Sequence, residues 1–195
     1  MMSNKRICKH GIFKSTKITP VIFIIILLSG FTAISGNLDN ELISASKSGD
    51  LETMKDLVGK GANVNEKDVY GSTAIIYAVQ NGDFDCVKFL IEKGADANIR
   101  NISAFTPLII ASKEGELDIV KMLLDSGADP NLKGGYGWTA LMRATWGNHI
   151  EVVKTLLGKG ADVEAKNDQG KTAIDIAKAF EKPEMVQVLT NANAK

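Results

Sequence analysis

Three constellations in this chain use residue types that can do chemistry. Gly170-Lys171-Thr172 matches the tail of a phosphate-binding loop. There glycine N–H groups cradle phosphates, the lysine reaches the outer phosphates and the hydroxyl holds magnesium. The first glycine of that pattern would stand at position 165, which is Ala165. The pattern also needs a preceding strand and a helix whose N-terminus meets the phosphates. The second constellation is His149 with Cys86, the one histidine and one cysteine beyond the first 35 residues. They lie 63 positions apart. One of each cannot complete a tetrahedral zinc site, and a nucleophile pair needs a base within hydrogen-bond reach. The third, Asn101-Ile102-Ser103, fits the glycosylation acceptor pattern, and such a triplet also arises by chance in a loop. The acids are numerous but scattered, without the paired carboxylates that general acid–base work requires. The expectation is a chain that is not an enzyme and carries neither cofactor nor metal.

What organises these residues is repetition. Gly61-Ala62-Asn63-Val64-Asn65 returns as Gly94-Ala95-Asp96-Ala97-Asn98, Gly127-Ala128-Asp129-Pro130-Asn131 and Gly160-Ala161-Asp162-Val163-Glu164, every 33 residues. Thr73, Thr106, Thr139 and Thr172 keep that period, and so do Ala45, Ala78, Ala111, Ala144 and Ala177. Three markers in one register mean stacked structural units.

One unit, Asp68 to Arg100, shows the anatomy. Asp68-Val69-Tyr70-Gly71-Ser72 is turn-rich. Thr73 then opens a helix as N-cap, its hydroxyl available to the first free backbone N–H groups. Thr106 carries Pro107 at the first helical position, where proline is favoured. Ile75, Ala78 and Val79 share one helical face. Asn81-Gly82-Asp83 breaks the helix, and Phe84, Val87, Phe89, Leu90 and Ile91 form a second, more apolar one. Gly94 ends it as a C′ residue. Helices this short are marginal alone, so stacking neighbours must bury their faces. Leu57, Leu90, Leu123, Leu156 and Leu189 mark the seam, with Val87, Val120, Val153 and Val186 beside it. In this register Cys86 aligns with Ile119, Val152 and Met185 and reads as a small core residue. His149 aligns with Asp83 and Glu116, as an exposed polar position. Gly170 and Thr172 fall on the hairpin and cap positions, which accounts for them without a phosphate.

The chain has 195 residues, 45% hydrophobic and 24% charged, which is ordinary globular composition. Residues 1–35 hold five of its 23 basic residues and no acid, leaving 18 basic against 23 acidic residues beyond them. The repeat region is therefore mildly acidic and offers no basic stripe to nucleic acid. A basic stretch ending at Lys17, the apolar run Val21 to Leu28, and the small residues Ala33 and Ser35 read as an export signal cut after Ser35. The alternative is a membrane anchor over residues 21–35, although the apolar stretch is shorter than the ~20 residues that span a bilayer. Either reading puts the remainder outside the cytoplasm, since the positive flank stays inside.

The sequence resembles the ankyrin-repeat family. Gly71-Ser72-Thr73-Ala74-Ile75, Thr106-Pro107-Leu108, Gly137-Trp138-Thr139-Ala140-Leu141 and Gly170-Lys171-Thr172-Ala173-Ile174 match the first half of its pattern. Ile119-Val120-Lys121-Met122-Leu123-Leu124-Asp125-Ser126-Gly127-Ala128-Asp129 matches the second. The resemblance covers about residues 38–190. It implies an all-α solenoid of stacked helix-turn-helix units with β-hairpin-like loops, about five repeats including caps. The domains expected are 1–35, signal or anchor, and 36–195, with units at about 38–67 (cap), 68–100, 101–133, 134–166 and 167–195 (cap). The family's helix-opening His is replaced by Ile76, Ile109, Met142 and Asp175. Unit three has Ala104 where the hairpin wants glycine, so a reshaped hairpin is expected there. Unit four opens with Gly134-Gly135. Unit five has Glu181-Lys182-Pro183 in place of the interhelix glycine.

The resemblance further implies recognition of a protein partner through the concave face, built from hairpin tips and the ends of first helices. Projected onto this chain, the partner-binding set is Tyr70, Ser72, Phe105, Lys113, Tyr136, Trp138, Trp146 and Lys171. Aromatics are only 6% of the chain, yet both tryptophans fall in this set. Exposed aromatics are enriched at interface hot spots. The expected protein is a monomeric, exported binding module, periplasmic or secreted in a bacterium, with no nucleic-acid or small-molecule partner. It would meet a membrane only through an uncleaved N-terminus. The alternative readings are a secreted effector that binds a host protein, and an enzyme with an unrecognised site.

Overall fold

Each apolar stripe becomes one helix, and the helices come in pairs. The computed structural model describes residues 37–193. The pairs are α1 (residues 37–48) with α2 (Leu51–Gly59), α3 (Ala74–Gln80) with α4 (Phe84–Glu92), and α5 (Pro107–Glu114) with α6 (Leu117–Asp125). Then come α7 (Ala140–Gly147) with α8 (Ile150–Gly158), and α9 (Ala173–Ala179) with α10 (Pro183–Asn193). Among the described residues there is no strand; the connecting hairpins are turns closed by backbone hydrogen bonds. The helices α3, α5, α7 and α9 pack on one another as an inner layer, and α4, α6, α8 and α10 form the outer one.

The leucine seam lies between the layers. Leu57, Leu90, Leu123, Leu156 and Leu189 are all buried, as are Ala78, Ala111, Ala144 and Ala177. Each buried leucine contributes roughly 1.5–3 kcal/mol, and the alanines let neighbouring inner helices approach. Cys86 is a fully buried free thiol in this core. Burial, with the Asp83 carboxylate beside it, pushes its pKa up to about 12, so it is a packing residue rather than a nucleophile.

The Gly-Ala-Asp-x-Asn segment ties units together. Asn65 Nδ2 donates to the Gly94 carbonyl (3.0 Å) and its Oδ1 accepts from Asp96 N–H (2.8 Å). Asn98 makes the same pair to Gly127 and Asp129, and Asn131 to Gly160 and Asp162. The fourth rung is Glu164, whose carboxylate has no N–H to give.

Caps follow the sequence with one exception. Thr106, Thr139 and Thr172 accept from the N–H of Ile109, Met142 and Asp175. Thr73 holds the N-cap position but makes no cap bond, and its buried hydroxyl has no partner. Asp175 completes a capping box with Thr172, returning a carboxylate oxygen to the Thr172 N–H at 2.9 Å.

The third hairpin is not reshaped. Ala104 adopts φ +60°, as Gly71, Gly137 and Gly170 do at the equivalent position. The bonds match too: Asn101 N–H donates to Phe105 O (3.2 Å) and Ala104 N–H to Asn101 O (2.9 Å), as Asp68, Ser72 and Gly71 do one unit earlier. The Asn101 carboxamide oxygen also accepts from Ser103 and Phe105 N–H (3.0 Å each), clamping the turn hard enough to hold alanine there. Left-handed backbone costs a Cβ-bearing residue about 1–2 kcal/mol, less the greater unfolded-state freedom of glycine. Ala104→Gly should therefore raise stability by about 0.5–1 kcal/mol. A urea titration checks this; no gain, or a loss, would mean the turn is relaxed as it stands.

No helix among the described residues is long and apolar enough to cross a membrane. The export signal or anchor expected at residues 1–35 lies outside the described residues.

Candidate functional site

Three columns of residues, spaced at the repeat period, line the inner-helix side of the array. The hairpin column is Ser72, Phe105, Trp138 and Lys171. The helix column is Tyr77, Ile110, Arg143 and Ile176. The helix-end column is Lys47, Gln80, Lys113, Trp146 and Ala179. The character of the face changes along the array, polar at units one and two and aromatic at units three and four.

At the polar end, Tyr77 Oη donates to Asp68 Oδ2 at 2.6 Å. Lys47 Nζ lies 4.3 Å from the Tyr77 ring centre and 3.6 Å from the same Asp68 oxygen. Burial alone would raise the Asp68 pKa. The Tyr77 hydroxyl, the N–H groups of Ser72 and Tyr70, and Lys47 outweigh it and hold Asp68 below its ordinary 3.8. Asp175 is lowered as well, mainly by the Thr172 backbone N–H and hydroxyl. A carboxylate depressed in the folded state stabilises fully above its unfolded pKa and loses that contribution as pH falls through the folded value. Stability should therefore fall progressively as pH drops below about 3.8. Asp68→Asn should flatten part of that slope, as thermal melts across the acid range would record; an unchanged slope would remove Asp68 from the effect.

At the aromatic end, Arg143 is central. Its guanidinium carbon lies 4.5 Å from the Trp138 ring centre and 5.4 Å from that of Phe105, within cation–π range. Its Nε is buried with no hydrogen-bond partner. Burial holds its pKa below the ordinary guanidinium value. Two hollows flank it. One of about 150 Å³ is lined by Phe105, Gln80, Ile110, Lys113 and Glu114. The other, about 320 Å³, is lined in part by Trp138, Trp146, Lys171, Ile176 and Phe180. Arg143 thus touches a wall ring of each.

The expected site residues divide accordingly. Phe105, Trp138, Trp146 and Lys171 line the two hollows, and Trp146 is 43% exposed. Tyr136 stands at the fourth hairpin tip, 79% exposed, in left-handed backbone at φ +59°. Tyr70, 59% exposed, is at the second tip, next to Val69 and near Ile102, whose N–H donates to the Tyr70 carbonyl at 3.0 Å. Lys113 borders the smaller hollow but is ion-paired to Glu114 at 2.6 Å. Ser72 is a correction: it is only 3% exposed, its short side chain hydrogen-bonded to Tyr77, and cannot meet a partner. His149 is also less free than its register suggested. It is half-buried, and its Nε2 bonds the Lys113 carbonyl at 3.0 Å, fastening unit four to unit three. Lys182 does the same one unit later, donating to the carbonyls of Thr145 and Trp146.

Sequence reasoning missed Arg143 and Phe180. The signal for Arg143 was a lone cation in a column that otherwise holds Tyr77, Ile110 and Ile176. Among the described residues no cluster of three or more His, Cys, Asp or Glu side chains could hold a metal ion.

A family model described as ankyrin repeats (3 copies) matches residues 42–134, and one described as ankyrin repeats (many copies) matches residues 127–177. Comparison with curated proteins returned no significant match.

Proposed function

We propose a function from the premise that the chain belongs to the ankyrin-repeat family: it is a non-catalytic module that binds a protein partner in the concave groove of units three to five. Ankyrin repeats are protein-binding units, so the question is which part of this array does the binding. The observation that carries the reading is the gathering of Phe105, Trp138, Trp146 and Phe180 along one face, in a chain with 6% aromatics. Half-exposed aromatic rings beside open hollows are what interface hot spots are made of, and a rigid array holds them without an ordering cost on binding.

The place of action we propose is outside the cytoplasm. It rests on the order of basic, apolar and small residues in 1–35. Cell fractionation, with sequencing of the mature N-terminus, tests it. A chain starting at Gly36 in the envelope or medium supports export; an intact chain in the cytoplasm removes it.

The binding test is capture from the native compartment by the full-length chain and by a Trp138→Ala, Trp146→Ala variant with an unchanged far-UV CD spectrum. The partner retained by the first should be lost by the second. The same partner held equally by both would take the site away from this groove.

A further inference from the structure

We propose that Arg143 is the docking point for a partner carboxylate. The groove would take an extended peptide segment whose Asp or Glu side chain bonds the guanidinium. An adjoining apolar side chain would enter the hollow lined by Trp138 and Trp146. This rests on the groove reading above and specifies what it accepts.

Comparison between units carries the inference. In unit two the groove residue Tyr77 is satisfied from within the chain, by Asp68 nine residues before it, at 2.6 Å. Arg143 occupies Tyr77's position in unit four, and the residue nine before it is Gly134. Of the four units only the second carries a carboxylate at this position, so none stands under the one column residue that carries a full charge. Among the described residues no acid lies within ion-pair distance of Arg143. Its partners are the faces of Phe105 and Trp138, and its Nε is buried without a hydrogen bond, so that a partner would meet the terminal Nη groups. Ring stacking holds a guanidinium flat and leaves its edge donors for a planar, bidentate acceptor, which a carboxylate matches.

Charge favours a monoanion. The neighbouring cations are engaged, Lys113 by Glu114 and Lys182 by the Thr145 and Trp146 carbonyls. Asp175 shares the rim of the larger hollow with Lys171. Residues 36–195 hold 18 basic and 23 acidic side chains, so the field around the groove does not gather a phosphate dianion. The apolar half of the ligand follows from the lining of the larger hollow, three of whose rings are Trp138, Trp146 and Phe180.

The test uses the full-length chain and two peptides, acetyl-Leu-Glu-Leu-amide and acetyl-Leu-Gln-Leu-amide. The chain has two tryptophans, and both line the larger hollow, so intrinsic fluorescence reports occupancy. The Glu peptide should bind saturably, and the Gln peptide about tenfold or more weaker, the ratio carried by one charge-assisted hydrogen bond. Arg143→Leu should make the two peptides equal, while Arg143→Lys keeps part of the difference. Gly134→Asp restores a carboxylate at the position of Asp68 and should also equalise them. Its added Cβ would meet Ile109 Cδ1 at 3.0 Å, the movable tip of a side chain, and the Ala104 carbonyl oxygen at 3.3 Å, where the backbone must give by a few tenths of an ångström. Thermal melts confirm that each variant is folded. Equal binding of both peptides by the native chain overturns the carboxylate inference and leaves the groove reading standing. Stronger displacement by inorganic phosphate than by acetate overturns it in favour of a phosphate site. Absence of binding by either peptide overturns it too, and the fate of the groove reading is then decided by partner capture with the tryptophan variant.

Discussion

Leu123→Ala should lower the unfolding free energy by about 3–4 kcal/mol, among the larger effects available to one substitution in a core. Leu123 is fully buried in the last turn of α6, in the seam between Leu90 and Leu156. The cost combines the lost transfer energy of the side chain with a cavity that rigid neighbours only partly close. In a stacked array, stability is a sum of unit terms and nearest-neighbour interfaces. A central unit belongs to two interfaces, and a terminal unit to one. Leu57→Ala, in the first unit, should therefore cost less and fray that end before the rest melts. Urea unfolding followed by far-UV CD measures both. A central loss below about 1 kcal/mol would mean that the seam is loosely packed.

Gly137→Ala should be the most damaging of the hairpin substitutions, at about 2–4 kcal/mol. It is the mirror of Ala104→Gly at the same repeat position. Both residues stand at positive φ, Ala104 at +60° and Gly137 at +70°. The difference lies in what surrounds them. A Cβ on Gly137 would lie 2.9 Å from the Asp168 backbone nitrogen and run into the Asp168 carboxylate. That nitrogen donates to the Tyr136 carbonyl at 3.1 Å, the link between the fourth and fifth hairpins. Alanine there adds left-handed strain and pushes the next hairpin away. Unit four also lacks the clamp that holds Ala104, because Gly134 has no side chain to do what Asn101 does. Melting temperature of the Gly137→Ala chain reads the effect; a change under about 0.5 kcal/mol would show that the hairpins move independently.

The fold was legible because the repeat period multiplies weak signals. A lone threonine before an apolar run is a poor cap indicator, and four in register are a strong one. What failed were inferences from a residue's intrinsic preference. Ala104 disfavours positive φ, yet the Asn101 side chain imposes it. Thr73 favours capping, yet its hydroxyl points into the core unbonded. A side chain of the same turn decided the first, and burial in the stacked core the second. The role of Asn65, Asn98 and Asn131 was visible only as spacing. Their bonds run to the following unit, at Gly94, Gly127 and Gly160.

The candidate site was half legible. Phe105, Trp138 and Trp146 were found because aromatics are scarce in this chain and these fall on one projected face. Ser72 was misplaced because the projection takes no account of the Tyr77 side chain that Ser72 bonds. Arg143 escaped notice because it sits inside a helix among apolar residues. Its meaning depends on a carboxylate that is absent nine positions earlier, which only the Tyr77–Asp68 bond in unit two makes visible.

The most direct check on the groove is the accessibility of its two tryptophans in a complex with a captured partner. Acrylamide quenching of Trp138 and Trp146 should fall as the partner saturates the chain, because both rings would be covered. Unchanged quenching at full binding would put the partner on another face of the array and contradict the site.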